Sequence, residues 1–236
     1  MGLRKTIFGR QKIKPNTFIG GVAATINTPA LIASKLGISV SRIKGFSIVG
    51  NDIQFAITGG NYIIPQSAFR TNADITYYND AGGLVTRLNP HAFGSTSKFI
   101  SCNFPKLLTL EGNGSGGGPF NHSAIIDVDL PECTLFNGGH HFDSCYSLKT
   151  VNLPKLTNMG NGGYYIFRDC KALNSVYAPL CTKIGATLNY DAIFQNIKTG
   201  CSITINNALQ TSNLGTLDGD LQYAINSRGA IVNYAI

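Results

Sequence analysis

Six phenylalanines recur along the chain at nearly constant intervals, and this periodicity constrains the fold more than any other feature. They are Phe69, Phe93, Phe120, Phe142, Phe167 and Phe194, with successive spacings of 24, 27, 22, 25 and 27 residues. A period of this length is typical of solenoids and other repeat architectures, in which each repeat is one supersecondary unit.

The residues that follow each phenylalanine repeat as well. Nine and eleven residues after Phe142 come Val151 and Leu153, with the polar Asn152 between them and Pro154 directly behind. Alternation of this kind indicates a short strand with two inward side chains, and proline ends it because proline cannot donate to a sheet.

The other copies keep this pattern to different degrees. Agreement at every offset is found after Phe93, Phe142 and Phe167. The copy after Phe120 has one residue deleted, and the copy after Phe194 lacks the proline. The copy at Phe69 is the most degenerate, so a strand is predicted there only from the alternation of Ile75 and Tyr77.

A unit of about 25 residues with two inward strand residues cannot bury its own apolar face. Stacked units cover one another, which predicts a solenoid of about six turns with strands about 4.8 Å apart. The composition agrees, since 27 glycines and only 13% charged residues favour a turn-rich β protein. The predicted class is mainly β with short helical turns.

The cysteines fit the repeat better than they fit a metal or redox site. All six lie after residue 100 and none forms a Cys-x-x-Cys pair. Cys145 and Cys170 each lie three residues after a phenylalanine, and Cys133 and Cys181 take positions that hold leucine in other copies. They are interpreted as small buried residues. A disulfide bond between Cys145 and Cys170 is the alternative, but it would need an oxidising compartment.

Two segments make a family resemblance visible. FDSCYSLKTVNLPKLTNMG and FRDCKALNSVYAPLCTKIG resemble BspA-like leucine-rich repeats, whose pattern is F-x-x-C-x-x-L-x-x-V/I-x-L-P-x-L followed by a short second strand. The resemblance covers about residues 63 to 208. It implies a leucine-rich-repeat solenoid of 22–27-residue turns that binds proteins or glycans, and similar repeats occur in bacteriophage structural proteins with an unrelated, virion-attaching start.

The sequence outside the repeats predicts a cap at each end. Thr28 before Pro29 indicates a helix start and Gly37 its end, and a hairpin is predicted around residues 50–52. Residues 221–225 and 230–234 alternate around a polar turn, which predicts a terminal β-hairpin. The predicted segments are 1–27, an extended basic arm; 28–62, a helix and hairpin cap; 63–208, the solenoid; and 209–236, the C-terminal cap.

The net charge of +7 is concentrated at the N-terminus, because residues 1 to 51 hold eight bases and no acid. The arm contains Arg4, Lys5, Arg10, Lys12 and Lys14. Such an arm can lie on nucleic acid, on an anionic membrane or on an acidic protein surface, and charge alone does not distinguish an acidic protein from a nucleic acid. Other virion proteins are the expected partners of the arm, and nucleic acid is the less favoured one.

The outward strand positions form a candidate ligand face. Its residues are Tyr78, Asn103, Asp127, Asp129, Asn152 and Tyr177. Tyrosine can pack on a sugar ring while amides and hydroxyls bond its edge, so this face suits a glycan. The same residues also suit an ordinary solvated sheet, and the sequence leaves both interpretations open.

The loops between the second strand and the next phenylalanine form a candidate loop edge. It contains His140, His141, Tyr164 and Tyr165, and insertions in repeats commonly mark a binding edge. A metal site at His140 and His141 is disfavoured because the nearby Cys145 belongs to the core pattern. No catalytic motif is visible, so no catalytic residue, metal site or cofactor is predicted.

The sequence therefore leads to a specific expectation. We expect a non-enzymatic bacteriophage virion protein that is made in the host cytoplasm without a signal peptide, attached through its N-terminal region, and present as a homo-oligomer or in many copies. A tail fibre or receptor-binding subunit that contacts a host-surface glycan or protein is the first choice, and a head fibre or capsid decoration protein is the alternative. A cellular adhesin or protein-interaction module is the alternative of another class. No membrane insertion is expected.

Overall fold

The computed structural model describes residues 17–21, 27–49, 52–185, 191–210 and 218–236. The N-terminal part holds strand β1 (Thr17–Gly21), helix α1 (Pro29–Leu36), a 3₁₀ turn (Val40–Arg42), strand β2 (Ile43–Val49) and strand β3 (Asp52–Ile57). β3 pairs antiparallel with both β1 and β2. The predicted helix and the antiparallel pairing of the two predicted hairpin strands are thus confirmed, whereas residues 50 and 51 of the predicted turn lie outside the described residues.

Helix α1 begins and ends for the reasons that its sequence indicates. Thr28 is extended, and its side chain accepts a hydrogen bond from the backbone N–H of Leu31. Pro29 occupies the first turn, and Gly37 ends the helix with φ of 63°, a left-handed conformation that glycine adopts without steric cost.

The solenoid follows, with two short strands in each complete turn. Its strands are β4 (Tyr62–Ile64), β5 (Tyr77–Asn79), β6 (Val85–Leu88), β7 (Ser101–Asn103), β8 (Thr109–Glu111), β9 (Asp127–Asp129), β10 (Leu135–Asn137), β11 (Thr150–Asn152), β12 (Asn158–Asn161), β13 (Ser175–Ala178), β14 (Lys183–Ile184) and β15 (Ser202–Asn206). A 3₁₀ turn (Asn207–Leu209), helix α2 (Gly219–Arg228) and strand β16 (Ile231–Ala235) complete the described chain.

These strands form two sets of parallel ladders around one core. The front sheet contains β9, β11, β13, β15 and β16, with β5 and β7 as a separate pair before it. The back sheet contains the even-numbered strands from β4 to β14 in chain order. The inward side chains of both sheets belong to a single hydrophobic cluster, so the predicted solenoid is confirmed.

The six repeat phenylalanines form a continuous stack along the solenoid axis. All are at most 3% exposed, and successive ring centroids lie 5.1 to 5.9 Å apart with interplanar angles of 5 to 12°. The backbone N–H of Phe142 donates to the carbonyl of Ile166 in the following turn, and Phe167 donates to Ile193 in the same way. Each turn is thus fixed to the next through both its ring and its backbone.

The backbone around each phenylalanine adopts an unusual conformation in every turn. Around Phe142, the residues two before and two after it, His140 and Ser144, have φ of 60 and 58°. Ser144 donates its N–H to the carbonyl of Arg168 in the following turn. Left-handed backbone costs a non-glycine residue about 1–2 kcal/mol, and these axial hydrogen bonds offset that cost.

The C-terminal cap differs from the expected hairpin. Residues 221–225 lie in helix α2, and β16 pairs parallel with β15 rather than with its own neighbour in sequence. Asp218 is the N-cap of α2, Gly229 ends it at φ of 57°, and Leu221 and Ala224 face the core. The prediction was wrong because an i, i+3, i+4 apolar spacing was read as alternation.

Asp220 in α2 closes the last phenylalanine turn. Its carboxylate accepts hydrogen bonds from the backbone N–H of Asp191 at 3.1 Å and of Ile193 at 2.9 Å. It is fully buried, and that burial raises its pKa to about 7 although both N–H groups favour the charged form. A side chain of the cap is therefore hydrogen-bonded to the last phenylalanine turn, at the two residues whose carbonyls accept from Tyr165 and Phe167 of the preceding turn.

Candidate functional site

The front sheet presents its polar side chains in register along the axis. Asp129 in β9 lies beside Asn152 in β11, which lies beside Tyr177 in β13, which lies beside Thr204 in β15. Among them, Tyr177 is the large side chain with a substantial exposed fraction, 45%. The outward orientation that the sequence predicts for these strands is confirmed.

The two carboxylates of the predicted ligand face are tied to the next turn. Thr150 donates its hydroxyl to Asp127 Oδ1 at 2.7 Å, and Asn152 donates its amide to Asp129 Oδ1 at 2.8 Å. The amide of Asn103 likewise donates to Asn79 Oδ1 at 2.8 Å. These bonds hold the face in a fixed arrangement, so its polar groups are preorganised for a ligand.

Tyr78 does not belong to this face, which corrects the sequence prediction. It is 2% exposed and stacks on Phe104 with ring centroids 5.2 Å apart. Its neighbours in β5 are Tyr77, which is partly exposed, and Asn79, which is buried, and they pair with Ser101 and Asn103. The alternation was placed one residue off, and such a slip exchanges the two faces of a strand.

Half of the predicted loop edge is also buried. His140 is 6% exposed and His141 is fully buried, whereas Tyr164 is 43% exposed and Tyr165 is partly exposed. The ring of His141 lies 4.9 Å from that of Phe136, and neither of its nitrogens has a hydrogen-bond partner among the described residues. Burial lowers its pKa to about 3, so His141 is a neutral core residue.

His140 instead takes part in a charged cluster of His140, Asp143, Tyr165 and Arg168, here called the Phe-corner cluster. His140 Nδ1 lies 3.0 Å from Asp143 Oδ2, and Arg168 binds both oxygens of that carboxylate. The Arg168 guanidinium lies 4.1 Å above the Tyr165 ring. Buried Asp143 is thus paired with groups of two successive turns.

The protonation of this cluster follows from its contacts. Burial alone would raise the pKa of Asp143, but hydrogen bonds from His140 and Arg168 outweigh it and the pKa is lowered. The pKa of Arg168 is raised, chiefly by its hydrogen bonds to Asp143. Both groups are charged at neutral pH, and the cluster joins adjacent turns at the loop edge.

The glycines of these loops are required by close packing between turns. A Cβ added to Gly163 would lie 1.9 Å from the carbonyl oxygen of Gly138, and one on Gly118 would lie 1.9 Å from that of His140. A Cβ on Gly112 would lie 2.0 Å from the carbonyl oxygen of Gly139. The loops are therefore closely packed against one another at these positions.

The back sheet carries an axial series of polar contacts that sequence reasoning missed. Asn137 Nδ2 donates to Glu111 Oε2 at 2.7 Å, Asn161 Nδ2 to Asn137 Oδ1 at 3.4 Å, and Lys183 Nζ to Asn161 Oδ1 at 3.5 Å. These residues follow their phenylalanines at different distances, so no fixed offset reveals them. The Asn-Gly pairs after β10 and β12 were the available signal.

The cysteines are free thiols and serve the core. Cys145 donates its thiol to the carbonyl of Phe120, and Cys170 donates to that of Phe142. Burial raises the pKa of Cys145 to about 12, so this thiol stays protonated and unreactive. The described residues contain no group of three or more His, Cys, Asp or Glu side chains placed to hold a metal ion.

The basic residues Arg4, Lys5, Arg10, Lys12 and Lys14 of the predicted arm lie outside the described residues. The structure begins just after them with β1, which pairs with β3 and lies against β5 of the first solenoid turn. Within the described part of the chain, no helix has both the length and the apolar character needed to span a bilayer.

Comparison with known proteins supports the repeat assignment. The family model for the BspA type leucine rich repeat region matches residues 62–198 in six copies. No curated protein and no solved structure matches the chain. The matched range covers more than half of the 236 residues and contains all six stacked phenylalanines.

Proposed function

Because the chain belongs to the BspA type leucine-rich repeat family, we propose that it is a non-enzymatic binding component of a bacteriophage particle. In this proposal the N-terminal segment attaches the protein to the particle. The front sheet contacts a host-surface glycan or protein, as in a tail fibre or receptor-binding subunit. The family match supports an interaction scaffold, and the bacteriophage assignment rests on the resemblance of the repeats.

The observation that carries the binding proposal is the aligned polar face around Tyr177. Asn152 and Thr204 flank Tyr177 on neighbouring strands at a spacing of about 4.8 Å. An exposed aromatic ring between an amide and a hydroxyl offers both an apolar platform and hydrogen-bonding groups, which is the combination that a sugar ring uses.

The binding proposal is tested with a matched pair of tyrosine variants in the full chain. Tyr177→Ala should weaken binding to host-envelope glycans about 2- to 13-fold, from the contribution of about 0.5–1.5 kcal/mol that aromatic contacts make. Tyr146→Ala is the control, because Tyr146 is 55% exposed and is absent from the front-sheet strands. Equal losses in both variants, or unchanged binding in both, would contradict the assignment of this face.

The attachment proposal is tested in particles. Replacing the five bases Arg4, Lys5, Arg10, Lys12 and Lys14 with glutamine should reduce incorporation into particles, because the positive arm is then unable to pair with an acidic surface. The melting temperature should stay unchanged, since the arm precedes the described core. Normal incorporation of this variant would refute the proposal that these basic residues attach the protein to the particle.

Mass spectrometry of purified particles tests the virion role itself. A few to a few dozen copies per particle would support a tail fibre or tip protein, and hundreds would favour the head fibre or capsid decoration alternative. Absence from particles would refute the virion role and leave the cellular adhesin or interaction module, which the family match supports equally well.

A further inference from the structure

Three Asn-Gly pairs occur in the described solenoid, and they differ sharply in environment. They are Asn113-Gly114 in the loop after β8, Asn137-Gly138 at the end of β10, and Asn161-Gly162 at the end of β12. Asn-Gly is chemically labile in general, because glycine lacks the Cβ that would shield its backbone nitrogen. Local structure then decides which of the three pairs reacts.

The side-chain carbonyl of Asn113 is surrounded by hydrogen-bond donors. Asn113 Oδ1 accepts from the N–H of Ser115 at 3.1 Å, the hydroxyl of Ser115 at 3.1 Å and the N–H of Gly117 at 2.8 Å. Three donors on one carbonyl oxygen polarise the C=O bond, and they would stabilise negative charge on that oxygen during attack on the carbon.

Gly114, which supplies the attacking nitrogen, is accessible. It is exposed, and a Cβ built at Gly114 would meet no atom within 4 Å. Within the described residues, no hydrogen bond occupies its backbone N–H. Both partners of an intramolecular reaction are therefore available in the folded protein.

Asn137-Gly138 has the opposite environment. The N–H of Gly138 donates to the carbonyl of Asn161 at 3.0 Å, and a Cβ on Gly138 would lie 2.4 Å from the carbonyl oxygen of Gly112. The Asn137 amide donates to Glu111 at 2.7 Å. Attack would require these contacts between turns to break, so the fold protects this pair.

Asn161-Gly162 lies between these extremes. Gly162 has open space around it. Asn161, however, is held in β12, and its side chain contacts Asn137 and Lys183. A single long contact of 3.5 Å from Lys183 Nζ reaches its carbonyl oxygen, in place of the three donors at Asn113.

We propose that Asn113 is a site of spontaneous deamidation in the folded protein. The Gly114 nitrogen loses its proton to water or hydroxide and attacks Asn113 Cγ. A new C–N bond forms, the bond from Cγ to the amide nitrogen breaks, and ammonia leaves, which gives a five-membered succinimide. Water then opens one of its two carbonyl groups and leaves aspartate or isoaspartate at position 113. No redox step is involved.

The reaction places a negative charge in the glycine-rich loop. An aspartate keeps the same three donors, whereas an isoaspartate adds one carbon to a loop that is closed by the hydrogen bond from Asn113 N to Gly117 O. The loop also holds Asn121, whose amide donates to Gly116 O and whose Oδ1 lies 3.1 Å from His91 Nδ1. The charge and shape of the loop edge would thus change with the age of the protein.

The test follows deamidation at all three asparagines by peptide mass spectrometry. The folded full chain is incubated at mildly alkaline pH and compared with the chain unfolded in urea. In the folded protein Asn113 should react at least about 10-fold faster than Asn137, since each pre-aligned donor at a developing oxyanion supports the reaction. The three rates should converge in urea.

Ser115→Ala separates activation from mere exposure. It removes the hydroxyl donor and should slow the reaction at Asn113 several-fold in the folded state, while the rate in urea stays unchanged. Its melting curve is recorded alongside, so that partial unfolding is recognised. Equal native rates at Asn113 and Asn137 would overturn the proposal, as would a Ser115→Ala variant that reacts like the parent in the folded state.

Discussion

At the scale of single residues, the position just before each phenylalanine shows how the repeat selects its amino acids. It holds Ile166 and Ile193 in two copies and His141 in another, and all three are buried. The imidazole lies in the apolar core with two unpaired nitrogens, which costs about 1–3 kcal/mol for a buried polar group. His141 is therefore a weak point of the stack.

His141→Ile should stabilise the protein by about 1 kcal/mol at neutral pH, because it removes unpaired polar atoms and restores the residue of the neighbouring copies. The gain in the free energy of unfolding should be larger at acidic pH. The folded pKa of about 3 lies below the ordinary value of 6.5, so the parent loses stability as the pH falls from about 6.5 to 3. Urea unfolding at several pH values checks this, and an unchanged pH slope would contradict it.

The loop glycines make a second prediction at this scale. Gly163→Ala should destabilise the protein by about 3 kcal/mol, because its Cβ would overlap the backbone of Gly138 and force the turns apart. Gly114→Ala is the control, since the space around Gly114 is open, and it should change stability by less than about 0.5 kcal/mol. Similar losses in thermal melting for both variants would argue against contact between these loops.

How far the sequence predicts the structure is visible in particular residues. The position nine residues after each phenylalanine correctly predicts that Val151 and Val176 point inward. The same rule predicts an inward Tyr78, whereas the local alternation of residues 75–78 predicts an outward one. His141 was assigned to a loop because glycines precede it. The stacking that buries it depends on the neighbouring turn, which no local pattern shows.

At the scale of secondary-structure elements, the C-terminal helix shows why the end of a solenoid is harder to predict than its middle. Asp218 and Gly229 are ordinary helix start and stop signals, so α2 itself could have been predicted. The use of Asp220 to close the last turn has no counterpart within the repeats, and it emerges only from the hydrogen bonds.

The buried Asp220 predicts a pH dependence opposite to that of His141. Its folded pKa of about 7 lies above the model-compound value of 3.8, so stability falls as the pH rises from about 4 to 7. Asp220→Asn should remove this slope, because asparagine does not ionise in that range. The comparison is made in the His141→Ile background by urea unfolding. An Asn variant that keeps the parent slope would show that other groups, such as Asp218 with its pKa near 6, dominate.

At the scale of the whole molecule, the ratio of acidic to basic residues at the surface differs from the ratio in the whole sequence. Five of its twelve carboxylates, on Asp80, Asp143, Asp191, Asp218 and Asp220, are buried in the described structure. No described lysine or arginine is buried. Residues 63–208 contain nine acids and ten bases, and three of those nine acids are buried, so ten bases and six acids remain at the surface of the solenoid.

The phenylalanine stack predicts how damage spreads along the molecule. Phe142→Ala should cost about 4 kcal/mol, as for other buried phenylalanines, and should weaken hydrogen-exchange protection in β9 and β13, the front-sheet strands of the two turns whose phenylalanines stack on Phe142. Phe69→Ala is the comparison, because Phe69 stacks on a repeat phenylalanine on one side only. Its effect should be smaller and limited to the first turns. Equal loss throughout the molecule in both variants would indicate a single cooperative unit instead of coupled neighbours.

The axial hydrogen bonds around the phenylalanines give this corner of the solenoid an electrical polarity. The N–H groups of Phe142, Phe167 and their counterparts point toward the following turn, so the last turn directs these donors toward the cap, much as the first turn of an α-helix directs its N–H groups outward. Asp220 places a carboxylate at that end, where it accepts hydrogen bonds from the N–H groups of Asp191 and Ile193, as an N-cap aspartate accepts from N–H groups of a helix. These hydrogen bonds join the cap to the last turn, so the number of turns that precede it does not change them. A duplicated repeat inserted between the Phe142 and Phe167 turns would lengthen the molecule by about 4.8 Å and leave both ends chemically complete.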